Sequence, residues 1–189
     1  MTKKRKIPFI EYYLGIFTSK DDRILDVGCG PARYRNATKF NYIGIDLTKE
    51  DYSAGIKRNV DVVASAEDIP FIEKTFDLVF ATSTFYQVFN YQKALSEIYR
   101  VIKPGGRILL FDYNKQIQKR LEKSENHNLP CWTQFELMNL IKKFGFIDCK
   151  MLTRTAHKTF FIEKYFWLFY QSFFSSWIIV TGKKSFKLN

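Results

Sequence analysis

Short apolar runs alternate with amphipathic stretches along this chain of 189 residues, and that alternation limits the available folds more than any other feature. The runs are rich in Ile, Val, Leu and Phe on both faces, which is typical of parallel strands that helices cover on both sides. They lie at residues 23–27, 42–46, 61–64, 76–81, 106–113, 146–152 and 177–183. Residues 91–102 and 133–143 repeat apolar side chains at helical spacing, the second stretch behind a capping box at Thr133 and Glu136. We therefore predict one α/β domain with a doubly wound, mostly parallel sheet, in which a Pro-Gly-Gly turn starts the fifth strand.

The first apolar run ends in a glycine-rich segment, Asp26-Val-Gly28-Cys-Gly30, that suits close contact between backbone and ligand. Glycines at these two places permit a tight turn, and a side chain there would block the approach of a cofactor. The second run ends in Asp46, 20 residues after Asp26, where a carboxylate can bind both hydroxyls of a ribose. Turn glycines and a helix-capping aspartate would explain the two parts separately, but the pair at this spacing favours a nucleoside cofactor.

The residues around the glycines distinguish between nucleoside cofactors. A dinucleotide fingerprint requires a third glycine three residues beyond the second, and Arg33 stands at that place. Asp26 is also outside that fingerprint, and it could meet a positive charge through water or a backbone amide. S-adenosylmethionine carries an ammonium, a sulfonium and a ribose but no phosphate. The segment therefore suits S-adenosylmethionine better than NAD.

Four segments in order resemble the class I S-adenosylmethionine-dependent methyltransferases: ILDVGCGPARY, YIGIDLT, ASAEDIPF and the long stretch from KTFDLVF to KPGGRILLF. The resemblance spans residues 23–113 and is greatest to the branch with ubiquinone- and menaquinone-biosynthesis enzymes. It implies a Rossmann-like, seven-stranded sheet in the order 3-2-1-4-5-7-6 with the last strand antiparallel. It also implies methyl transfer from S-adenosylmethionine to a small-molecule acceptor, with a lipophilic acceptor as one option.

The same resemblance implies which residues contact the cofactor. The glycine loop would hold the methionine end, Asp46 would bind the ribose, Leu47 would lie against adenine, and the loop at 65–67 would meet the adenine edge. The implied positions are Asp26, Gly28, Cys29, Gly30, Asp46, Leu47, Ser65, Ala66, Glu67 and Ala81. Two positions depart from the family, since Ser65 replaces a usual Asp and Gln87 stands where His is frequent. Because Gln cannot act as a general base, a mechanism that needs His there is in doubt.

Methyl transfer from a sulfonium is an in-line displacement, so the protein mainly aligns the acceptor and excludes water. A general base is needed only if the acceptor must first lose a proton. Side chains that could serve near the expected pocket are Tyr12, Tyr13, Tyr86, Gln87, Tyr113 and His127. Of these, Tyr86, Tyr113 and His127 are the catalytic candidates, although tyrosines often serve packing and a histidine in a polar loop is often simply solvated. Asp112, at the end of the fifth run, could face the pocket or cap the next helix.

The chain carries 30 basic and 19 acidic residues, a net charge of +11 that is compatible with a polyanionic partner. Basic runs lie at both ends, and residues 155–175 form an aromatic-rich insertion between the last two strands. As a helix, residues 160–174 could pack in the core, form a dimer contact, line an acceptor pocket or lie on an anionic membrane. We favour a contact surface that includes part of the acceptor pocket. The alternatives are a nucleic-acid methyltransferase, although we do not expect a nucleic-acid partner, and a non-catalytic cofactor-binding or membrane-associated module.

The number and spacing of the cysteines and histidines argue against disulfide bonds and bound metal ions. The three cysteines, Cys29, Cys131 and Cys149, are odd in number and lack CxxC spacing, so neither a disulfide framework nor a zinc ribbon is expected. The two histidines form no metal-ligand pattern, and we expect no metal. The N-terminus lacks a signal-peptide pattern, and charged residues interrupt the most apolar segment. We expect a cytoplasmic protein, with peripheral contact to the inner membrane surface through residues 160–174 as one option.

Overall fold

The computed structural model describes residues 8–38, 41–51, 56–57, 59–115, 132–152 and 177–186. Its helices and strands are α1 (Pro8–Phe17), β1 (Ile24–Val27), β2 (Tyr42–Asp46), β3 (Glu50–Asp51), β4 (Ile56–Lys57), β5 (Val62–Val63), β6 (Phe76–Thr82), α2 (Tyr91–Val101), β7 (Ile102–Tyr113), α3 (Gln134–Lys143), β8 (Phe146–Met151) and β9 (Trp177–Lys184). Single turns of 3-10 helix span Arg35–Ala37 and Phe85–Gln87. The predicted insertion at 155–175, the segment 160–174, His127 and Cys131 lie outside the described residues. Of the described helices, none has the length and apolar character needed to cross a membrane.

Seven strands form one sheet in the order β5-β2-β1-β6-β7-β9-β8. The strands from β5 to β7 pair in parallel, whereas β9 runs antiparallel to both β7 and β8. Without the short β3–β4 hairpin, this order is 3-2-1-4-5-7-6, and it confirms both the predicted topology and the antiparallel last strand. Because β1 leads to β2 on one side and has β6 on the other, the strand order reverses at β1, and a crevice is expected at its carboxyl end.

Side chains that alternate along the central strands divide the core into two layers. Leu25 of β1 and Val79 of β6 pack with Ile141 of α3 and with α2 on one face of the sheet. Phe80, the next residue of β6, packs with Leu14 of α1 on the opposite face. Since helices cover both faces, both sets of strand side chains are buried, and this is why the strand sequences lack a polar alternation.

β7 begins at Ile102, earlier than predicted, because the Pro-Gly-Gly sequence lies within the strand and does not form a turn before it. Ile102 pairs with Phe76, and the next pair joins Arg107 to Leu78. A single residue of β6 therefore lies opposite four of β7, and the surplus forms a bulge. Gly105, with a φ of 78°, supplies the left-handed backbone conformation there.

Side-chain caps determine where α2 and α3 begin. The Asn90 side chain accepts a hydrogen bond from the amide of Lys93 at 3.0 Å and starts α2. At α3 the Thr133 hydroxyl accepts from the amide of Glu136, and the Glu136 carboxylate accepts from the amide of Thr133. This reciprocal pair confirms the predicted capping box.

Candidate active site

A cavity of about 420 Å³ opens at the carboxyl ends of β1, β2 and β6. Its volume lies within the range of about 300–1,000 Å³ for small-molecule sites, and it occupies the point where the strand order reverses. Seven of the predicted cofactor residues line it together: Gly28, Gly30, Asp46, Leu47, Ser65, Ala66 and Glu67. Residues that are distant in sequence thus form one wall at the expected crevice.

The glycine loop after β1 has a left-handed backbone at both glycines. Gly28 has a φ of 72° and Gly30 a φ of 52°. A Cβ atom at Gly28 would lie 2.3 Å from Thr84 Oγ1, whereas a Cβ at Gly30 would have no atom of another element within 4 Å. The amides of Gly28 and Cys29 donate to the carbonyl of Ile45 at 2.9 and 3.0 Å and hold the loop against β2. Gly30 therefore presents bare backbone to an open space.

Asp46, the last residue of β2, is positioned by two backbone amides. Its Oδ2 accepts a hydrogen bond from the amide of Gly30 at 2.8 Å, and its Oδ1 accepts from the amide of Leu47 at 2.8 Å. These two hydrogen bonds, one to each oxygen, fix the orientation of the carboxylate at the end of β2. A carboxylate held in this way at the end of a strand can accept hydrogen bonds from the two adjacent hydroxyls of a ribose.

On the side of the cavity formed by residues 64–67, hydrogen bonds connect segments that are distant in sequence. Ser65 Oγ accepts from the amide of Glu67 at 3.1 Å, and Glu67 Oε1 accepts from the amide of Asn90 at 3.1 Å. Glu67 thereby connects the 65–67 turn to the loop before α2. Two apolar side chains belong to this wall although they are largely solvent-exposed, Leu47 at 72% and Phe89 at 95%. Exposed apolar side chains beside a cavity are typical of surfaces that a ligand covers.

Three predicted cofactor residues do not bring their side chains to the cavity wall. Asp26 is 1% exposed and accepts a hydrogen bond from the Tyr42 hydroxyl at 2.6 Å, and burial raises its pKa to about 7. The Cys29 sulfur packs against Gly44, and burial raises its pKa to about 12, so the thiol stays protonated. Ala81 is buried in the core. A contact from their backbones to a cofactor stays a prediction.

Two of the catalytic candidates, Tyr86 and Tyr113, pack against each other and do not themselves line the cavity. Tyr86 and Gln87 belong to the 3-10 turn after β6, Gln87 lines the cavity, and its Nε2 donates to the Tyr86 hydroxyl. The Tyr86 ring packs edge-on against Tyr113 with centroids 5.2 Å apart, and Tyr113 packs against Trp177 at 4.6 Å. Tyr13, in contrast, is a residue of α1 whose ring is buried in the core next to Tyr12, and it does not line the cavity.

Asp112 does not line the cavity, and the residues directly after Lys115, where the next helix is expected, lie outside the described part of the chain. It is 1% exposed, and its carboxylate faces the amides at the start of the 3-10 turn that follows β6. Its Oδ2 accepts from the amide of Tyr86 at 3.1 Å and its Oδ1 from the amide of Tyr113 at 2.8 Å. Burial raises its pKa to about 7, and the hydrogen bonds from backbone amides partly oppose that rise.

Several residues of the cavity wall were not predicted from the sequence, and most of them follow β6. They are Ala64, Ser83, Thr84, Val88 and Phe89. The short Thr-Ser-Thr sequence at 82–84 was the available signal, because it places hydroxyl side chains directly after a buried strand, at the edge of the sheet where ligands bind. No group of three or more His, Cys, Asp or Glu residues placed to hold a metal occurs among the residues that the structure describes.

Comparison with known proteins adds sequence and structural relatives. A family model described as a methyltransferase domain matches residues 25–110. The ubiquinone/menaquinone biosynthesis C-methyltransferase of Klebsiella pneumoniae is 42% identical over 81 residues, which cover 40% of this chain and 32% of that enzyme. An uncharacterized protein of Methanocaldococcus jannaschii is 30% identical over 145 residues, 72% of this chain and 69% of that protein. A solved S-adenosylmethionine-dependent methyltransferase of Thermotoga maritima has a TM-score of 0.68 at 21% identity and covers 95% of this chain and 90% of that chain. The match to the Klebsiella enzyme thus spans about a third of its length.

Proposed function

The chain belongs to the class I S-adenosylmethionine-dependent methyltransferases, and on that premise we propose that it transfers a methyl group from S-adenosylmethionine to a small acceptor. The observation that carries the proposal is the joint placement of Gly30 and Asp46 on one cavity wall. Gly30 leaves open the space that a Cβ would fill, and its amide holds the Asp46 carboxylate at 2.8 Å. A loop of bare backbone next to a fixed carboxylate fits a nucleoside without phosphates.

We assign the parts of the cofactor to the wall as follows. The glycine loop at 28–30 receives the methionine end, and Asp46 binds the ribose hydroxyls. Leu47 and Phe89 cover the adenine ring, and the hydroxyl of Ser65 serves as a neutral partner at its edge. When bound, the cofactor supplies a methyl group already activated by a sulfonium. The protein's residues then have to orient the acceptor and exclude water.

We infer that no general base on the protein is obligatory. Gln87 lines the cavity next to Tyr86 and has a side chain suited to hydrogen-bond an acceptor, and an amide cannot remove a proton. Single replacements of Tyr86, Gln87 or Tyr113 are therefore expected to slow turnover by less than about 100-fold, below the largest general-base effects. A greater loss at unchanged cofactor affinity would identify a base or an essential orienting group. His127 remains an untested candidate.

We propose further that the acceptor is apolar. The half-buried rings of Tyr86, Tyr113 and Trp177 continue from the cavity wall along the carboxyl ends of β6 and β7. An aromatic surface next to a methyl-donor site favours a lipophilic molecule. The Klebsiella relative, named for ubiquinone and menaquinone biosynthesis, supports the same class. Peripheral membrane contact through residues 160–174 and a cytoplasmic location stay predictions.

Calorimetry with S-adenosylhomocysteine tests the cofactor assignment. Loss of hydrogen bonds to a charged group costs about 1.5–3 kcal/mol, so Asp46→Ala should bind this ligand about 10- to 150-fold more weakly than wild type. Asp21→Ala, which removes an exposed carboxylate before β1, is the matched control and should bind normally. NADH should not bind. Equal affinity of wild type and a folded Asp46→Ala, or micromolar binding of NADH, would refute the assignment.

Transfer of a labelled methyl group tests the acceptor class. The enzyme is offered menadiol as an apolar ring acceptor, phosphoethanolamine as a polar one, and bulk tRNA. Transfer to menadiol alone supports the proposal. Transfer to tRNA would establish the nucleic-acid alternative, to which the net charge of +11 points. Tight binding of S-adenosylhomocysteine without transfer to any acceptor would favour a non-catalytic module.

A further inference from the structure

Asp112 is a buried carboxylate whose partners are backbone amides. It lies one residue before the end of β7 and is 1% exposed. The amides of Tyr86 and Tyr113 donate to its two oxygens at 3.1 and 2.8 Å, and the amide of Phe85 also hydrogen-bonds to it. Within the described part of the chain it forms no ion pair. One side chain thus connects the end of β7 to the 3-10 turn that follows β6.

Packing alone does not explain a carboxylate at this position. A charge removed from water is costly unless hydrogen bonds compensate, and an apolar side chain of similar size would avoid that cost. Next to it along the chain, Phe111 belongs to the apolar core. The arrangement is therefore one that stabilises a particular backbone geometry at the expense of general stability.

The turn that Asp112 holds forms part of the cavity wall. At the start of the turn, Thr84 Oγ1 donates to the carbonyl of Val27 at 3.1 Å and attaches the segment to β1. At its other end the turn places Gln87 in the wall and the Tyr86 ring against Tyr113. Thr84 thus binds the turn to β1, next to the glycine loop, and the Asp112 side chain binds the turn to β7.

We propose that Asp112 is a positioning residue, which acts through the amides of Phe85 and Tyr86 to fix the turn that carries Gln87 into the cavity wall next to the acceptor. The inference rests on the proposed function, since an acceptor has to lie on this side of the cavity if the cofactor occupies the side with Asp46. Asp112 itself does not line the cavity, so its effect is on the placement of Tyr86 and Gln87.

The ionisation of Asp112 makes this role measurable. A carboxylate accepts hydrogen bonds at both oxygens, whereas a protonated carboxyl turns one oxygen into a donor that opposes an amide N–H. Its pKa is raised to about 7 by burial, and no charged side chain contributes to that shift. The titratable groups closest to it along its contacts are the phenols of Tyr86 and Tyr113, and the β9 residue opposite it is the uncharged Ile178. The amide hydrogen bonds lower the pKa of the buried carboxyl, so a local opening that detaches the amides while Asp112 stays buried would raise that pKa further. Against such an opening the turn should be held more firmly at pH 8 than at pH 6, whereas global unfolding, which hydrates the carboxyl, has the opposite pH dependence.

Hydrogen exchange of the turn amides, corrected for the intrinsic pH dependence of exchange, tests the proposal. In the wild-type protein, protection of the Phe85 and Tyr86 amides should rise about tenfold from pH 6 to pH 8, as the ionised fraction of a group with a pKa near 7 rises. In Asp112→Asn the protection should be lower at pH 8 and independent of pH. Asp77→Asn is the matched control. The Asp77 carboxylate also accepts a hydrogen bond from a backbone amide, that of Arg23 at 2.9 Å, but it lies at the amino-terminal end of β6, at the opposite edge of the sheet from the cavity.

The outcomes separate this inference from the proposed function. Wild-type protection that does not change with pH would overturn the role of Asp112, and this measurement needs no variant to fold. Loss of protection in Asp112→Asn across the whole protein, with no excess in the turn, would also overturn it. S-adenosylhomocysteine binding should change less than threefold in Asp112→Asn. Failure of wild type to bind that ligand would refute the proposed function and leave the exchange result standing.

Discussion

Replacement of Gly28 by alanine should destabilise the protein more than the same replacement at Gly30. Both residues have a left-handed backbone, with φ values of 72° and 52°, and alanine pays about 1–2 kcal/mol for that conformation. Ala32 in the same loop already has a φ of 49°, so the loop tolerates an alanine there. This conformational cost is common to the two substitutions and cancels in their comparison.

The difference comes from Thr84. The new Cβ at Gly28 would lie 2.3 Å from Thr84 Oγ1 and 2.4 Å from its Cγ2, and the hydroxyl is held by its hydrogen bond to Val27. Overpacking of this kind costs about 1–3 kcal/mol. We expect Gly28→Ala to lose about 2–5 kcal/mol of unfolding free energy and Gly30→Ala about 1–2 kcal/mol.

Urea unfolding of the two variants measures the difference, provided that the dependence on denaturant stays unchanged. The cycle of Gly28→Ala with Thr84→Gly should show a coupling energy of about 1–3 kcal/mol, since the second change removes the clashing atoms. Equal losses at Gly28 and Gly30, or no coupling to Thr84, would show that the contact across the cavity wall does not constrain the loop.

The exposed wall and the buried carboxyls give three further predictions. Phe89→Ala should weaken S-adenosylhomocysteine binding about fivefold or more in calorimetry, because the 95% exposed ring gains burial only with the ligand, whereas Ile72→Ala, exposed but away from the cavity, should have no effect. Asp26 and Asp112 hold their protons to about pH 7 in the folded protein and to about pH 4 when unfolded, so the folded state binds more protons in that window. Stability should therefore fall by roughly 3 kcal/mol per group between pH 5 and pH 8, and Asn at either position should flatten the urea-derived curve; an unchanged slope would contradict the burial argument. Tyr42→Phe removes the hydroxyl that stabilises the Asp26 carboxylate and should cost about 1–3 kcal/mol at pH 8 and clearly less at pH 5; an equal cost at both values would show that the hydroxyl does not act on the charge.

Local patterns along the chain were sufficient for the fold class, for most element positions and for the glycine loop and Asp46, whereas Leu47 and the loop at 65–67 came from the resemblance to a known family. Buried parallel strands are visible as apolar runs because both of their faces are covered, and helices are visible by their spacing. The glycine loop and Asp46 stand directly after strands, so knowledge of the strands placed them at one edge of the sheet. The strand order came from resemblance to known proteins, since pairing between strands has no local signal.

The tertiary structure decided which side chains meet. Thr84 and Gly28 are 56 residues apart and touch because β6 pairs with β1 in register, while Asp112 reaches Tyr86 because β7 pairs with β6. Pairing of β7 with β6 also put the Pro-Gly-Gly sequence inside a bulged strand. The hydrogen bond from the Cys29 amide to Ile45 placed the Cys29 side chain against β2. Contacts of this kind depend on strand register and on the direction of each side chain, and neither is encoded in the few residues around the position concerned.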